Sequence, residues 1–286
     1  WVVIGPMTTR YFADYGGDVI RVESAHRPDV LRNGEPFAGG VHGINRSGYY
    51  ANYNSSKRSL TLNLADERAR AVAFTLATEW ADVVAENFTP GNMEKWGLGY
   101  EAIRAKNPKV IMFSASMLGR GGPFDAQPGF GPVLTALAGH THFTGWPDRT
   151  PTSPYGAYTD FLIPHIALAA IVAALDHRAK TGEGQHLDLS QLEASLYFMG
   201  TPMVDYAANG RLTMREGNRD PAMAPHAAYR CVGADQWCTI ACEDETQWRA
   251  LCTVMGRPAL ADDLRFASLA ARKANEATLD TEIEAW

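Results

Sequence analysis

The sequence predicts an α/β fold: parallel strands alternate with helices over most of the chain, and a small α+β domain closes it. Three observations predict this. Short apolar runs bounded by turn residues (DVIRVES, SLTLNL, ADVVAENF, KVIMFSAS and HLDLS) recur between stretches of helical spacing. The first of them are joined by short connections, which favour parallel crossovers. Beyond Pro225 the pattern changes to two alternating runs, HAAYRC and DQWCTIAC, followed by the amphipathic ETQWRALCTVMG, which puts Trp248, Leu251 and Met255 on one side. A length of 286 residues suffices for one large or two ordinary domains with ample core.

Taken in order, Val2 to Pro6 reads as the end of a strand entering a turn, and Met7 to Tyr15 as a helix ended by Gly16 and Gly17. DVIRVES is the next strand. Glu23 lies at its end, where a ribose-binding acid would stand, but the preceding turn reads VIGPMT and lacks GxGxxG, which argues against a dinucleotide site. Residues 25 to 53 show little periodicity and read as a long surface segment. Lys57 and Arg58 precede the alternating SLTLNL; they form either a solvated turn or an attraction for phosphate. Asp66 to Trp80 is a helix with acids at its start. ADVVAENF is a strand that leaves Asn87 and Phe88 at its C-terminal end, the edge where open α/β sheets bind ligands. Phe88 serves core packing equally well, and Lys95 taken alone is an exposed helix residue.

Tyr100 to Lys106 is a short helix, Asn107-Pro108 a breaker and KVIMFSAS a strand. GRGGPFDAQPGFGP is a loop without the GxxxxGK[ST] phosphate motif. Leu134 begins a short apolar helix that ends near Gly139 and His140. The stretch from Gly156 to Glu193 then joins a small-residue turn ending in Asp160, an Ala-rich apolar run from Phe161 to Leu175, the basic turn HRAKTGEGQ and the strand-like HLDLSQLE. The run is too short and Ala-rich for a membrane span, so a buried helix is expected, stopped by Gly182 and Gly184. Asp160 sits just before it, where an Asp is most commonly an N-cap. Pro164 complicates that role, because a helix capped at Asp160 would lose a backbone bond at Pro164. Leu189 to Asn209 reads as mostly buried helix interrupted by Pro202, and RLTMREGNRDPAMAP as a linker and loop.

The composition is that of a soluble globular protein, 46% hydrophobic and 20% charged. A net charge of -6 argues against nucleic acid as the main partner, and neither a signal peptide nor a membrane-length apolar run is read. Cys231, Cys238, Cys242 and Cys252 lack paired CxxC knuckles, so reduced core cysteines in a cytosolic protein are expected and no metal site.

The segments IGPMTTRYFADYGGDVIRVES, NSSKRSLTLNL, ADVVAENFTPGNMEKWGLGYEAIRAKNPKVIMFSAS, GHTHFTGWPDRTPTSPYGAYTD and HRAKTGEGQHLDLSQLEA, in this order, resemble the class III CoA-transferases. Relatives of that family include carnitine-CoA and formyl-CoA transferases and the α-methylacyl-CoA racemases. The resemblance covers nearly the whole chain; ENFTPG, NPKVI and KTGEGQ carry it. It implies a Rossmann-like parallel-sheet large domain over residues 1–200, a linker and active-site loop over 201–224, and a small α+β domain over 225–286. It further implies an interlocked homodimer, a first strand before Trp1 and a further segment after Trp286. Asp160 matches the acyl-accepting nucleophile of the transferases. Val3, Ile4, Leu62, Asn87, Phe88 and Lys95 match positions that line the CoA site. CoA and acyl-CoA are implied as substrates, with a carboxylic acid as acceptor and no tightly bound cofactor. Two departures stand out: Ala65 replaces a Lys found in some members, and GNRDPAMAP replaces a glycine-rich active-site loop.

Two alternatives stand beside CoA transfer. In the racemase branch a His in a similar AGH context works with the Asp as an acid–base pair, which makes His140 a second catalytic candidate; an ordinary polar helix-end role is its plainer reading. A non-catalytic acyl-CoA-binding domain would need Asp160 only as a cap. Trp146, Tyr155 and Tyr158, near Asp160 in sequence, hint at an apolar acid or simply at core.

Overall fold

The computed structural model describes residues 1–286. The chain divides into two compact units, one of Trp1–Thr141 with Ser153–Leu212 and one of His142–Thr152 with Thr213–Trp286.

In the first unit the elements run α1 (Ile4–Asp14), β1 (Ile20–Glu23), α2 (Gly48–Asn54), β2 (Arg58–Thr61), α3 (Glu67–Thr75), β3 (Val83–Glu86), α4 (Asn92–Lys95), α5 (Tyr100–Arg104), β4 (Ile111–Ser116), α6 (Gly131–Leu137), α7 (His140–Phe143, at the division), α8 (Tyr158–Thr181), β5 (His186–Ser190), α9 (Gln191–Tyr197) and α10 (Gly200–Asn209). The strands are parallel, as expected: β1 pairs with β2, and β3, β4 and β5 form a second sheet in that order. β4 is buried along its whole length, as a central strand with helices on both faces must be. Alternation along the sheet sorts its two faces. Ala85, Phe113, Ala115, Leu187 and Leu189 pack with Leu134 of α6 and Ile163, Ala167 and Ile171 of α8. Val84 and Met112 face Phe74, Met93, Leu98 and Tyr100, from α3 to α5.

Four local expectations need correction. No strand forms over Val2–Pro6; α1 begins at Ile4. Pro6 falls at the third helical position, where its missing N–H leaves no intrahelical bond unmade, and Thr8 secures the turn by donating to the Ile4 carbonyl at 2.7 Å. α8 is far longer than the apolar run: its 24 residues hold an 18-residue window with a mean hydropathy of 1.7, long and apolar enough to cross a membrane by length and composition. Here Ile163, Ala167 and Ile171 are fully buried, so α8 serves as a core helix. Gly182 ends it in the left-handed region (φ +80°), as expected. α10 has no buried residue, and Met203, Val204 and Tyr206 lie exposed. Pro202 sits within the first turn of α10, and the chain breaks earlier, between α9 and Gly200.

The long segment between β1 and β2 is tied down by charge. Glu23 accepts from Arg32 at 2.6 Å, Arg21 at 3.2 Å, Tyr50 Oη at 3.1 Å and the Asp29 N–H at 3.1 Å. Asp29, fully buried, pairs with Arg21 and accepts from the Val2 N–H at 3.1 Å. Glu23 is therefore a structural hub. Lys57 also turns inward: its ammonium donates to the carbonyls of Pro6 and Tyr53 at 2.6 and 2.9 Å and to Asn54 Oδ1 at 3.2 Å. Burial pushes it down to about 7. Arg58 points out and pairs with Asp18 at 3.0 Å.

In the second unit β6 (His226–Arg230) and β7 (Trp237–Ala241) form an antiparallel hairpin beside α11 (Glu245–Val254), α12 (Leu269–Ala274) and α13 (Glu276–Glu284). Its core holds Tyr229, Trp248, Cys252, Phe266, Leu279 and Ile283. All four cysteines are free; Cys242 and Cys252 are buried and Cys238 half-buried, whereas Cys231 is exposed rather than in the core. Trp146 belongs to this unit and packs its ring on Gly217.

Candidate active site

Asp160 is the third residue of α8, inside the helix rather than ahead of it, and the N-cap position falls to Ala157, whose side chain caps nothing. The preceding turn is tight: Tyr155 and Gly156 both take left-handed backbone (φ +45° and +63°). Pro164 stands one turn into the helix and has no N–H to give the Asp160 carbonyl. The side chain is 7% exposed. Its carboxylate makes no hydrogen bond or salt bridge to another side chain or to a backbone N–H, and burial alone pushes it up to about 6. Gly131 forms a wall beside it. A Cβ added at Gly131, the first residue of α6, would lie 2.5 Å from Asp160 Oδ2 and 2.4 Å from the Ala157 Cβ. Beside this wall Thr135 donates to the Gly131 carbonyl at 2.8 Å and meets Thr159 at 3.4 Å, both threonines fully buried.

His140 is buried as well, edge-on to the Tyr158 ring at 5.3 Å and hydrogen-bonded to the Ser195 main chain. Burial pushes its pKa down despite that bond, which favours the neutral ring.

A second group of polar side chains lies on the β3–β4–β5 sheet: Glu86 ends β3, Ser114 stands opposite it on β4, His186 begins β5, and Asn87 follows β3. Asn87 donates to the Trp1 carbonyl at 2.8 Å and accepts from the Trp1 nitrogen at 2.7 Å, so it fastens the start of the chain to the end of β3. Glu86, also 7% exposed, accepts from the Phe88 N–H at 2.8 Å, with Arg120 at 3.6 Å. Burial raises it, and the bonds from Ser114 and Phe88 and the charge of Arg120 only partly offset that. Ser114 also meets His186 Nε2 at 3.0 Å, and His186 stacks on Tyr100 at 4.9 Å. Phe88 stands edge-on to Trp96 at 5.2 Å, next to the exposed Lys95. A cavity of about 560 Å³ lies along β1 and β3, lined among others by Trp1, Gly5, Lys57, Leu64, Asn87 and Phe88.

All of the chain, residues 1–286, matches the family described as CoA-transferase family III. The chain belongs to CoA-transferase family III. It is 34% identical over 284 residues to the acetyl-CoA:oxalate CoA-transferase of Acetobacter aceti, covering 99% of this chain and 71% of that protein. It is 35% identical over 293 residues to the succinyl-CoA:mesaconate CoA-transferase of Haloarcula marismortui, covering 100% of this chain and 72% of that one. The crystal structure of a CaiB/BaiF family protein from Brucella suis superposes with a TM-score of 0.90 at 34% identity, covering 99% of this chain and 74% of that chain. The protein is thus an enzyme, a CoA-transferase with the mixed α/β fold of this family.

Within the transferase, the six positions matched to the CoA site fall into three neighbourhoods. Val3 and Ile4, both buried, begin α1 beside the Trp1–Asn87 pair. Phe88 and Lys95 flank Trp96. Leu62 follows β2, half-buried, its N–H bonded to the Glu23 carbonyl at 3.0 Å. Sequence reasoning missed Glu86, Ser114, His186 and Arg120, which assemble only when three strands align. It also missed Gly131, one glycine within a Gly/Pro-rich loop, where nothing in the sequence marks its contact with Asp160.

Proposed function

We propose that this transferase moves CoA from an acyl-CoA thioester to a carboxylic acid, with Asp160 as the covalent acyl acceptor. One observation carries the reading: the Asp160 carboxylate is buried close against Gly131, with no hydrogen-bond or charge partner to quench it. A carboxylate attacks a thioester poorly in water; desolvated and positioned, it becomes competent. The relatives named for acetyl-CoA with oxalate and for succinyl-CoA with mesaconate support the reaction class.

In the proposed sequence an Asp160 oxygen attacks the thioester carbonyl, the C–S bond breaks, and CoA leaves as thiolate from a mixed anhydride. The thiolate then attacks the Asp160 carbonyl, releasing the donor acid and leaving an aspartyl-CoA thioester. The acceptor carboxylate displaces the thiolate to form a second anhydride. Attack of the thiolate on the acceptor carbonyl releases the new acyl-CoA and restores Asp160. Nucleophiles and leaving groups are anions throughout, so no general base is needed, and this sequence assigns no step to His140. Each tetrahedral intermediate calls for oxyanion donors, and the backbone N–H groups of Gly156 and Ala157 are the candidates we propose. CoA itself is the substrate carrier, bound near Phe88, Lys95 and Leu62, and no tightly held cofactor is part of the reading.

The homodimer implied by the resemblance belongs to the same proposal. The exposed apolar residues Tyr197, Phe198, Met203, Val204 and Tyr206 of the α9–α10 region support it. Four free thiols fit a reducing, cytoplasmic compartment.

The test uses the full-length protein with acetyl-, succinyl-, butyryl- and benzoyl-CoA, followed by hydroxylamine, digestion and mass spectrometry. A hydroxamate on Asp160 that depends on acyl-CoA is expected. Exchange of the α-proton without any label on Asp160 would instead make the protein a racemase.

A further inference from the structure

Gly131 stands closer to the Asp160 carboxylate than any side chain could. A Cβ there would meet Oδ2 at 2.5 Å and the carboxyl carbon at 2.8 Å, distances that real Cβ contacts essentially never show. Its backbone does not call for glycine: Gly131 is helical and absent from the residues with positive φ. The requirement is therefore one of space, and the space is filled by the reactive group together with the Ala157 Cβ, 2.4 Å from the same point. Gly131 is itself held in place. It is buried, and its carbonyl accepts from the fully buried Thr135, which touches Thr159 of α8. Two buried threonines thus link α6 and α8 beside the carboxylate.

We infer that Gly131 is a positioning residue for the acyl transfer: its bare Cα sets where the Asp160 carboxyl rests and leaves the opposite side of that carboxyl as the face that meets the thioester. This rests on the reading of Asp160 as acyl acceptor. A side chain at 131 displaces the carboxyl by roughly an ångström, and a misplacement of that size costs about 100-fold in rate.

Two neighbours share the space, so a double variant separates positioning from packing. Gly131→Ala collides with both Asp160 and Ala157. Adding Ala157→Gly removes the collision with Ala157 and leaves the one with the carboxylate. Single-turnover labelling of Asp160 by the acyl-CoA panel, thermal unfolding and binding of free CoA are measured on the full-length protein and on each variant. The expected result is that Gly131→Ala labels about 100-fold more slowly, with CoA binding within about threefold of the unaltered protein. The Gly131→Ala/Ala157→Gly protein then recovers thermal stability but stays slow. Ala157→Gly alone gives the labelling rate against which the double variant is read. Recovery of labelling together with stability in the double variant would overturn the inference, since the glycine would then serve only to clear Ala157. Labelling of Gly131→Ala at the unaltered rate would overturn it as well. Should the Gly131 variants fail to fold, Asp160→Glu reads the same wall by pushing the carboxyl toward it, and undiminished labelling there would count against the inference. If the unaltered protein shows no label with any acyl-CoA, the reading of Asp160 falls and this inference with it.

Discussion

Glu23 and Asp160 are equally exposed, 7% each, and belong to the same unit, yet their environments drive them in opposite directions. For Glu23 burial pushes the pKa up, but the Arg32 bond, the Asp29 N–H and the charges of Arg21 and Arg32 outweigh it and hold the carboxyl at about 2. Asp160 has the burial and none of the compensation, and stands at about 6. The difference teaches that exposure does not tell a structural acid from a reactive one; the partners do. A carboxylate neutralised by two guanidinium groups cannot attack an acyl group, and a bare one destabilises the fold that holds it.

The comparison can be broken or sharpened by substitution. Asp160→Asn keeps the shape and removes the nucleophile, and CoA transfer by the full-length protein should fall by at least ~10³-fold. Residual transfer within tenfold of the original would return Asp160 to a structural role. Glu23→Gln leaves Arg21 and Arg32 short of charge in a buried site and should cost about 3–5 kcal/mol at pH 7 in urea unfolding. Because the folded Glu23 is depressed, its contribution is complete above the unfolded value of about 4.5 and disappears as pH falls toward about 2. The gap between the two proteins should therefore close over that window.

Asp160→Asn should have the reverse effect on stability. A raised carboxyl costs nothing below its unfolded value of 3.8 and imposes its full penalty once pH exceeds about 6. The variant should thus be more stable than the original by about 3 kcal/mol at pH 8 and equal to it below pH 4. Loss of stability at pH 8 would reveal a partner for the carboxylate. Smallest is Arg58→Ala: its pair with Asp18 is open to solvent, and calorimetry should find the melting temperature within about 1–2 °C.

Much of this fold was legible because periodicity is local. The strands at Val83–Glu86, Ile111–Ser116 and His186–Ser190, and the stop of α8 at Gly182, follow from apolar runs and turn residues. The start of the chain was not, since VIGP suits the end of a strand and the first turn of a helix alike, and tertiary packing of Ile4 decided for the helix. Composition marked α10 as apolar without saying whether anything covers it. At the site, Asp160 was visible as a lone acid ahead of an apolar run. Its lack of partners was invisible, because solitude in space is set by Gly131, twenty-nine positions upstream. Lys57 shows the converse: in sequence it read as a solvated turn or an attraction for phosphate, and the fold turns it inward onto backbone carbonyls from two separate segments.

The most direct test is the pH dependence of Asp160 acylation. The full-length protein is mixed with acyl-CoA for less than one turnover at pH values from 4.5 to 8, quenched, and trapped with hydroxylamine at one fixed pH. Acylation that rises through a midpoint near the value of about 6 set by burial and then levels off is the predicted result. Label spread evenly over the whole range, or found on another residue, would contradict an unpartnered, desolvated Asp160 as the nucleophile.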